Sequence, residues 1–389
     1  PKPMTPHPPL KHILWICRWY SNREDPQLGV FIQKQAEALA DHYRVCVVYA
    51  MAVDQGETGS VIRENGNLLE IIQYYPRRHG WLSRWIAYAL SIQSAVALAL
   101  QHFGKPSLVV GYILNRSGIM ARRLARTHGI PFVIAEQWSG YASGAYAKRG
   151  WLHRHLSKRL CSEAAGVMVV SGFLQTAMER QGLKGRYSVV PNIVASPPVS
   201  SRPGKSADTI EILLVADLVD RIKNISDVIR SMKELHRLHP RIRLTIIGDG
   251  PDRGELEKLA AAQSLPEAHI RFLGRLPNNE VYQHLSQSDF LVMNSRVETF
   301  SLICAEAMSC GKPVVATRCG GPESFITDSD GILIAPDAPD ELLAALEQMC
   351  IIFQTFQPET IREHAIARFS RTAVGAQLAS LTEGWIRGS

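Results

Sequence analysis

Short apolar runs alternate with longer amphipathic segments along most of the chain. In the first half, the predicted strands lie at residues 13–17, 45–49, 108–110 and 131–135, with helical patterns between them. In the second half, they lie at residues 211–215, 244–247, 270–273, 290–293 and 313–316. Strands that alternate with helices are typical of parallel sheets covered by helices, so the pattern predicts an α/β fold.

The chain has 389 residues, which is enough for two domains with a core each. Residues 195–208, ASPPVSSRPGKSAD, have the proline, serine and glycine content of a linker. We predict a Rossmann-like domain at residues 1–198, a linker at 199–208 and a second Rossmann-like domain at 209–370. Both are expected to be doubly wound and to face a cleft, with ligands at the carboxyl ends of the strands.

One stretch, residues 85–104, contains no Asp, Glu, Lys or Arg. A helix of about 20 apolar residues can cross a membrane, but Gln93, Gln101 and His102 interrupt this one, so we predict a buried domain helix. The seven cysteines are scattered and form no C-x-x-C pair. Their pattern favours a reducing cytosol and disfavours both a disulfide framework and a zinc site.

Charge is unevenly divided between the two halves. Residues 1–200 contain 23 Lys and Arg against 11 Asp and Glu, whereas residues 201–389 contain 20 against 25. A basic first half favours an anionic partner on that side. Its most prominent basic and aromatic cluster comprises Arg77, Arg78, Arg84, Trp81 and Trp85. Such a cluster suits an acceptor or an anionic membrane surface, and the alternative is a solvated face. Because no nucleic-acid-binding motif accompanies the charge, we expect no nucleic acid partner.

Residues 296–321, RVETFSLICAEAMSCGKPVVATRCGG, hold two acids, Glu298 and Glu306, separated by seven residues. The pattern predicts a strand before them and a helix at residues 302–310, with Ser301 as its N-cap. The free amides at such a helix start form an anion site. One acid at the mouth and another inside the helix suit a ligand with a diphosphate and several hydroxyls, namely a sugar nucleotide.

This segment resembles the paired-glutamate signature of the family-4 retaining glycosyltransferases, which have the GT-B fold. Residues 244–251, 270–274 and 320–323 are similar to the same family, in the same order. The resemblance implies that a last helix, at about residues 371–389, returns to the N-terminal domain.

By this resemblance, Lys223 and Arg221 would bind the diphosphate of the donor. The amides that would assist them belong to Phe300, Ser301, Leu302 and Ile303. Glu306 would bind the ribose hydroxyls, and Glu298 would act at the transferred sugar as a catalytic residue. Family members usually carry an arginine where this chain has Asp217, and we infer that Arg221 substitutes for it.

The remaining candidates lie in loops after predicted strands. Arg275 and Leu276 are expected to border the nucleotide base. Gly29 would let the backbone approach the donor or acceptor, and the alternative is a simple turn. Gln137 stands where family members frequently carry a histidine near the reacting carbon. A geometric role survives this replacement, whereas proton transfer does not.

These features predict a cytoplasmic retaining glycosyltransferase that needs no metal and no cofactor; peripheral contact with the inner face of a membrane is left open. It would move a hexosyl or N-acetylhexosaminyl group to a glycan or lipid-linked acceptor in surface polysaccharide assembly. UDP is the expected nucleotide of the donor, with GDP next. Two alternatives stay open: a catalytically degenerate binding module, and a nicotinamide-dependent oxidoreductase on a similar sheet.

Overall fold

The computed structural model describes residues 10–195, 209–266 and 269–388. Its strands are β1 His12–Cys17, β2 Arg44–Val53, β3 Gly59–Asn65, β4 Leu68–Pro76, β5 Leu108–Tyr112, β6 Phe132–Glu136, β7 Gly166–Val169, β8 Tyr187–Val189, β9 Ile210–Val215, β10 Ile242–Ile247, β11 Ile270–Gly274, β12 Phe290–Met293, β13 Val314–Thr317 and β14 Gly331–Ile334. Its α-helices are α1 Val30–Leu39, α2 Trp81–Phe103, α3 Arg116–His128, α4 Trp151–Glu163, α5 Gly172–Arg180, α6 Asp220–Lys223, α7 Ile225–Leu238, α8 Arg253–Ala262, α9 Asn278–Gln287, α10 Leu302–Ser309, α11 Pro339–Ile352, α12 Pro358–Phe369 and α13 Arg371–Arg387.

The described residues form two compact units. The first contains residues 10–170, 175–193 and 371–388, and the second contains 171–174 with the described residues between 194 and 370. The predicted linker at 199–208 lies outside the described residues. Each unit has one sheet and one main apolar cluster of its own.

The sheet of the first unit has the strand order β3-β4-β2-β1-β5-β6-β7-β8. Only β3 runs antiparallel to its neighbour; the other pairings are parallel. β1 and β5 are wholly buried and β2 is mostly buried, as expected for strands with helices on both faces. The order reverses between β1 and β5, which places a topological switch point there.

Helix α2 differs from the buried helix that the sequence predicted. Its inner face, which includes Tyr88, Ile92 and Ala95, is buried, and the helix packs on β2 and β4. Its outer face is exposed, so only 28% of its most apolar window is buried. By length and composition alone it could also cross a membrane. The uncharged stretch was therefore correctly predicted as a helix, but the prediction of full burial was wrong.

Helix α13 belongs to the first unit, where it packs on α1. Gly375 allows the approach, because an added Cβ would lie 3.2 Å from the carbonyl oxygen of Ala38. Arg371 donates to the Asp41 carboxylate at 2.9 Å near one end of the helix. The last helix therefore returns to the N-terminal unit, as the family resemblance implied.

The sheet of the second unit has the order β11-β10-β9-β12-β13-β14, and all its pairings are parallel. β10 and β11 lie on one side of β9, and β12 to β14, which follow them in the chain, lie on the other side. The switch point of this sheet therefore lies between β9 and β12. Ligands of doubly wound sheets bind at such points, outside the carboxyl ends of the strands.

Candidate functional site

The switch point of the second unit brings Lys223 and Glu298 together. Lys223 ends α6, the short helix after β9, and Glu298 lies in the loop after β12. The Nζ atom of Lys223 donates to Oε1 of Glu298 at 2.5 Å. The hydroxyl of Ser295 donates to the same oxygen at 2.9 Å. Burial by itself lowers the pKa of Lys223, but the carboxylates of Glu298 and Asp217 outweigh it and the pKa rises. Lys223 therefore stays a cation in the folded protein.

Arg296 fixes this geometry, although the sequence analysis did not single it out. Its guanidinium donates to the carbonyl of Asp220 at 2.8 Å and to the side chain of Asn224 at 3.0 Å. Its backbone amide donates to the carbonyl of Ile222 at 2.8 Å. Because these three acceptors flank Lys223, Arg296 ties α6 to the loop that carries Glu298.

The loop from Glu298 to Ser301 is held against the loop after β13. The amide of Gly321 donates to the carbonyl of Glu298 at 2.8 Å. A Cβ on Gly321 would lie 2.5 Å from the backbone of Phe300, so a larger residue would push the two loops apart. Ser301 has φ of 70°, which is uncommon for a residue with a side chain. Backbone strain of this kind is often found at ligand sites.

Ser301 occupies the N-cap position of α10 but makes no capping hydrogen bond with its side chain. The left-handed φ of the residue differs from the extended backbone of an ordinary cap. Ser301 is therefore at the predicted N-cap position, although its hydroxyl does not cap the helix. Leu302 and Ile303, in the first turn of α10, are half-buried. The side chain of Phe300 is buried against Phe325 and Phe369, with ring centroids 5.3 and 5.2 Å away.

Glu306 is only 4% exposed on α10. It is therefore not an ordinary solvent-facing glutamate of a helix. Burial raises the pKa of the neighbouring Tyr282, and the Glu306 carboxylate raises it further. A buried carboxylate costs free energy unless polar groups or a ligand satisfy it, which makes Glu306 a functional candidate.

The other donor candidates of this unit are more exposed. Arg221, on α6, is exposed, and Leu276 is half-buried. Nη2 of Arg275 lies 3.9 Å from Oδ1 of Asp217, and both side chains are more than half exposed. Asp217 therefore faces a residue that was expected to border the nucleotide base.

Gln137 belongs to a hydrogen-bond network at the carboxyl end of β6 in the first unit. Its Nε2 donates to the Tyr112 hydroxyl and to Oδ1 of Asn192, both at 2.8 Å. Its Oε1 accepts from Nδ2 of Asn192 at 3.0 Å. Both N–H bonds of the amide are thus in use. The buried Glu136 beside it accepts from the amides of Gln137 and Trp138 at 2.8 and 2.9 Å.

Gly29 precedes α1 with φ of 68°. A Cβ there would lie 2.9 Å from the carbonyl carbon of Trp19 and 3.0 Å from Cα of Tyr20. Both the positive φ and the close approach require glycine. These contacts explain Gly29 by the packing of its own unit, which favours the turn that was the alternative for this residue.

The basic and aromatic cluster separates into two parts. Trp81 is 79% exposed at the start of α2, and Arg77, Arg78 and Arg84 are also exposed. Trp85 is instead half-buried, stacked on Tyr88 with centroids 5.9 Å apart. Trp81 can therefore meet a surface directly, whereas Trp85 packs inside the unit.

No group of three or more His, Cys, Asp or Glu with the geometry of a metal site occurs among the residues that the structure describes. Asp330, in the D-x-D sequence at 328–330, is buried and accepts from the amide of Thr327 at 3.0 Å. Its other oxygen lies 2.9 Å from Nδ1 of His364. Asp330 therefore holds a structural turn.

Two family models match the chain, one over each half. The model for "Glycosyl transferase 4-like domain" matches residues 28–193, and the model for "Glycosyl transferases group 1" matches residues 199–351. Together they match most of the chain. The protein belongs to the group 1, family-4-like glycosyltransferases. This membership identifies a transferase and argues against the nicotinamide-dependent alternative.

Curated relatives of this glycosyltransferase act in several settings. The chain is 30% identical over 241 residues to a subunit of the phosphatidylinositol N-acetylglucosaminyltransferase of Arabidopsis thaliana, covering 60% of this chain and 52% of the relative. It is 32% identical over 168 residues to the lipopolysaccharide core biosynthesis glycosyltransferase LpsD of Rhizobium meliloti, covering 42% and 47%. The chain therefore spans about half the length of these relatives.

Solved structures resemble nearly the whole glycosyltransferase. A sucrose-phosphate synthase from Thermosynechococcus elongatus has a TM-score of 0.78 at 20% identity, covering 97% of this chain and 100% of that one. Anabaena HepE in complex with UDP has a TM-score of 0.72 at 16% identity, covering 96% and 100%. At these identities the likeness concerns the fold, and it confirms the predicted GT-B class with two Rossmann-like domains.

Proposed function

We propose that the protein is a retaining, metal-independent glycosyltransferase with a UDP-sugar donor. It would transfer a hexosyl or N-acetylhexosaminyl group to a glycan or lipid-linked acceptor in surface polysaccharide assembly. The observation that carries the proposal is the contact of Lys223 with Glu298 at the switch point of the second unit. A cation and an acid at that place match the two charges that glycosyl transfer develops.

Lys223 would stabilise the leaving diphosphate. An ammonium has three N–H donors, and the hydrogen bond to Glu298 uses one of them. The other two, with the amides of Phe300 to Ile303, would bind phosphate oxygens. Stabilising a leaving group in this way is usually the largest single term in catalysis.

Glu298 would have two roles. It orients the Lys223 ammonium, and its carboxylate would stabilise positive charge at the anomeric carbon of the donor sugar. The leaving phosphate itself would take the proton of the acceptor hydroxyl on the same face of the sugar, so that no protein base is required. Glu306, buried on α10, would accept hydrogen bonds from the ribose hydroxyls.

The acceptor side belongs to the basic first unit. On α2, Leu82, Ile86 and Leu90 are 53%, 49% and 60% exposed. Residues four apart lie on one face of a helix, so these three form an exposed apolar stripe, here called the α2 stripe. Arg84 lies on the same helix. An exposed apolar stripe on a basic unit suits the surface of an anionic membrane, so we propose peripheral contact with the cytoplasmic face of a membrane through the α2 stripe.

The experiment that tests the donor assignment compares melting temperatures with UDP, GDP, ADP and NAD. A ligand at 100 times its dissociation constant stabilises the folded state by about 2.7 kcal/mol. A shift with UDP, followed by release of UDP from a UDP-sugar, is the expected result. A shift with NAD and with none of the nucleoside diphosphates would overturn the proposal.

Two observations favour a second candidate, a nucleotide-sugar-binding module without turnover. Both N–H bonds of Gln137 are engaged within the first unit. Asp217 adds a negative charge near Lys223, where the donor diphosphate would bind. This candidate predicts a melting shift with UDP but no hydrolysis of any UDP-sugar. Slow release of UDP that requires Lys223 would exclude it.

A further inference from the structure

A cavity of about 180 Å³ in the first unit has an unusually basic lining. Its lining includes Arg18, Tyr75, Arg77, Arg78, Arg84 and Arg116. The cavity is far larger than the roughly 10–15 Å³ that one water molecule needs. We call it the arginine cavity. Arg18 and Arg116 were not singled out by the sequence.

The arginine cavity lies at the switch point of its own sheet. Arg18 directly follows β1, and Arg116 begins α3 after β5. Because β1 and β5 are neighbours where the strand order reverses, these residues occupy the general ligand position of a doubly wound sheet. Arg18 and Arg116 are half-buried.

The residues that the structure describes balance the charge of the cavity only in part. Arg77 pairs with Asp54 at 2.6 Å. Within residues 10–195, 209–266 and 269–388, the other four arginines of the cavity make no ion pair with a carboxylate. The guanidinium of Arg116 instead lies 5.9 and 5.7 Å from the ring centroids of Trp85 and Tyr88. Burial lowers the pKa of Arg116, and the charge of Arg18 lowers it further.

Another arginine group of the same unit shows the usual arrangement. Arg122 and Arg126 contact Glu163 at 2.6 and 3.3 Å. Hydrogen bonds from Arg122 and then Arg159 lower the pKa of Glu163 to about 2. There the protein supplies the anion, whereas in the arginine cavity the described residues supply a carboxylate to Arg77 alone.

We propose that the arginine cavity binds a phosphate group carried by the acceptor. Guanidinium groups match phosphate oxygens with paired N–H donors, and such charge-assisted bonds are strong. The inference rests on the proposed function, because it assigns the first unit to the acceptor. The phosphate belongs either to a soluble sugar phosphate or to a lipid headgroup.

The first experiment is a calorimetric titration of inorganic phosphate into the full chain with UDP present in excess, so that the donor site is filled. Arg18→Gln and Arg116→Gln are each expected to weaken phosphate binding about tenfold or more, since each removes charge-assisted hydrogen bonds. Arg116→Lys should lose less phosphate affinity than Arg116→Gln, because it keeps the positive charge. Arg123→Gln, on an exposed part of α3, is the matched control and should bind like the wild type.

Binding of phosphate that survives in the Arg18→Gln, Arg116→Gln double variant would overturn the inference, and so would no binding to the wild type. Unchanged UDP affinity in the variants separates such a failure from a failure of the donor assignment. Glucose 6-phosphate and vesicles of phosphatidylcholine with phosphatidic acid then distinguish the two sources. The probe that binds to the wild type more tightly than inorganic phosphate identifies the source, provided that its binding is lost in both Arg18→Gln and Arg116→Gln.

Discussion

The ammonium of Lys223 lies 2.5 Å from the carboxylate of Glu298, although the two residues are 75 positions apart along the chain. Helix α6 after β9 and the loop after β12 bring the two together at the place where the order of parallel strands reverses. The pair is half-buried, with side chains 23% and 16% exposed. A cation and an acid held so close are mutually oriented before any ligand binds, and this preorganisation is what electrostatic catalysis requires.

Replacement of Lys223 should therefore lower the rate of glycosyl transfer more than it lowers the stability of the folded protein. We expect Lys223→Ala to lower kcat by about 10²-fold or more, by analogy with the loss of one oxyanion donor. Lys223→Arg keeps the charge but not the compact ammonium, so partial activity is expected. The measurement is release of UDP from the UDP-sugar at saturation. Lys233→Ala, exposed on α7, is the control, and an unchanged rate in Lys223→Ala would remove Lys223 from the site.

Asp217 should weaken the binding of nucleoside diphosphates. Its carboxylate is near enough to raise the pKa of Lys223, and it faces Arg275 at 3.9 Å. Asp217→Asn is expected to tighten UDP binding about threefold at low ionic strength, the size typical of one exposed charge. The gain should shrink in salt. Titration of UDP at two salt concentrations checks this, with Asp328→Asn as an exposed control. Weaker binding in Asp217→Asn would mean that the acid itself contacts the donor.

The sequence predicted most strands well because buried parallel strands are apolar throughout. β12 was predicted with its observed ends, and β10 and β13 within two residues. β4, β7, β8 and β14 were not predicted. Neither was β3, because every residue of it is exposed and its pattern therefore lacks a buried face. Gly66-Asn67, which joins β3 to β4, is a hairpin signal that could have found it.

Local patterns alone could predict the candidate site only where its residues are close in sequence, and Lys223 was predicted through the family resemblance instead. Glu298 and Glu306 share one segment and were singled out together. Arg296 was not, because its partners lie on α6 and only the tertiary structure brings them near. Arg18 and Arg116 depend on the strand order β2-β1-β5, which local patterns do not specify.

Gln137 should contribute to stability through Asn192. Their side chains exchange two hydrogen bonds of 2.8 and 3.0 Å. Gln137→Ala leaves a buried amide without its partner and should cost about 1–3 kcal/mol. Because Asn192→Ala breaks the same bonds, the double variant should cost less than the sum of the two. Urea unfolding measures all three, with Gln101→Ala as an exposed control. Strict additivity would show that the two amides do not interact.

The α2 stripe should control membrane binding. Replacing Leu82, Ile86 and Leu90 together by serine removes apolar surface and should lower binding to vesicles of phosphatidylcholine and phosphatidylglycerol about tenfold or more. Ile351→Ser, at a site 72% exposed in the second unit, is the control. Sedimentation with vesicles is the measurement.

Charge reversal of Arg77, Arg78 and Arg84 to glutamate should abolish the preference for anionic over neutral vesicles. If the serine variant still sediments like the wild type, the α2 stripe is only a solvent-exposed face. If charge reversal has no effect, the arginines serve the arginine cavity alone.

His12 should make the first unit sensitive to mild acid. It is 3% exposed on β1, where Nδ1 lies 3.0 Å from the carbonyl oxygen of Gly104. Burial, helped by the charge of Arg44 and opposed by the bond to Gly104, lowers the pKa of His12 from 6.5 to about 4. Below pH 6.5 the unfolded chain gains a proton that the folded protein does not take up until about pH 4. The contribution of His12 to the free energy of unfolding is therefore fully present above pH 6.5. It is lost as the pH falls towards 4, by up to about 3 kcal/mol.

His12→Asn removes the titrating ring and keeps a side-chain donor for Gly104. Its free energy of unfolding, from urea denaturation at several pH values between 7 and 4, should fall less steeply than that of the wild type. The relevant quantity is the slope, because a smaller side chain in the core lowers stability at every pH. His42→Asn, at an exposed position, should keep the wild-type slope. Equal slopes in wild type and His12→Asn would mean that His12 takes up its proton at the same pH in the folded protein as in the unfolded chain. The buried charged ring would then need an anionic partner that Gly104 does not supply.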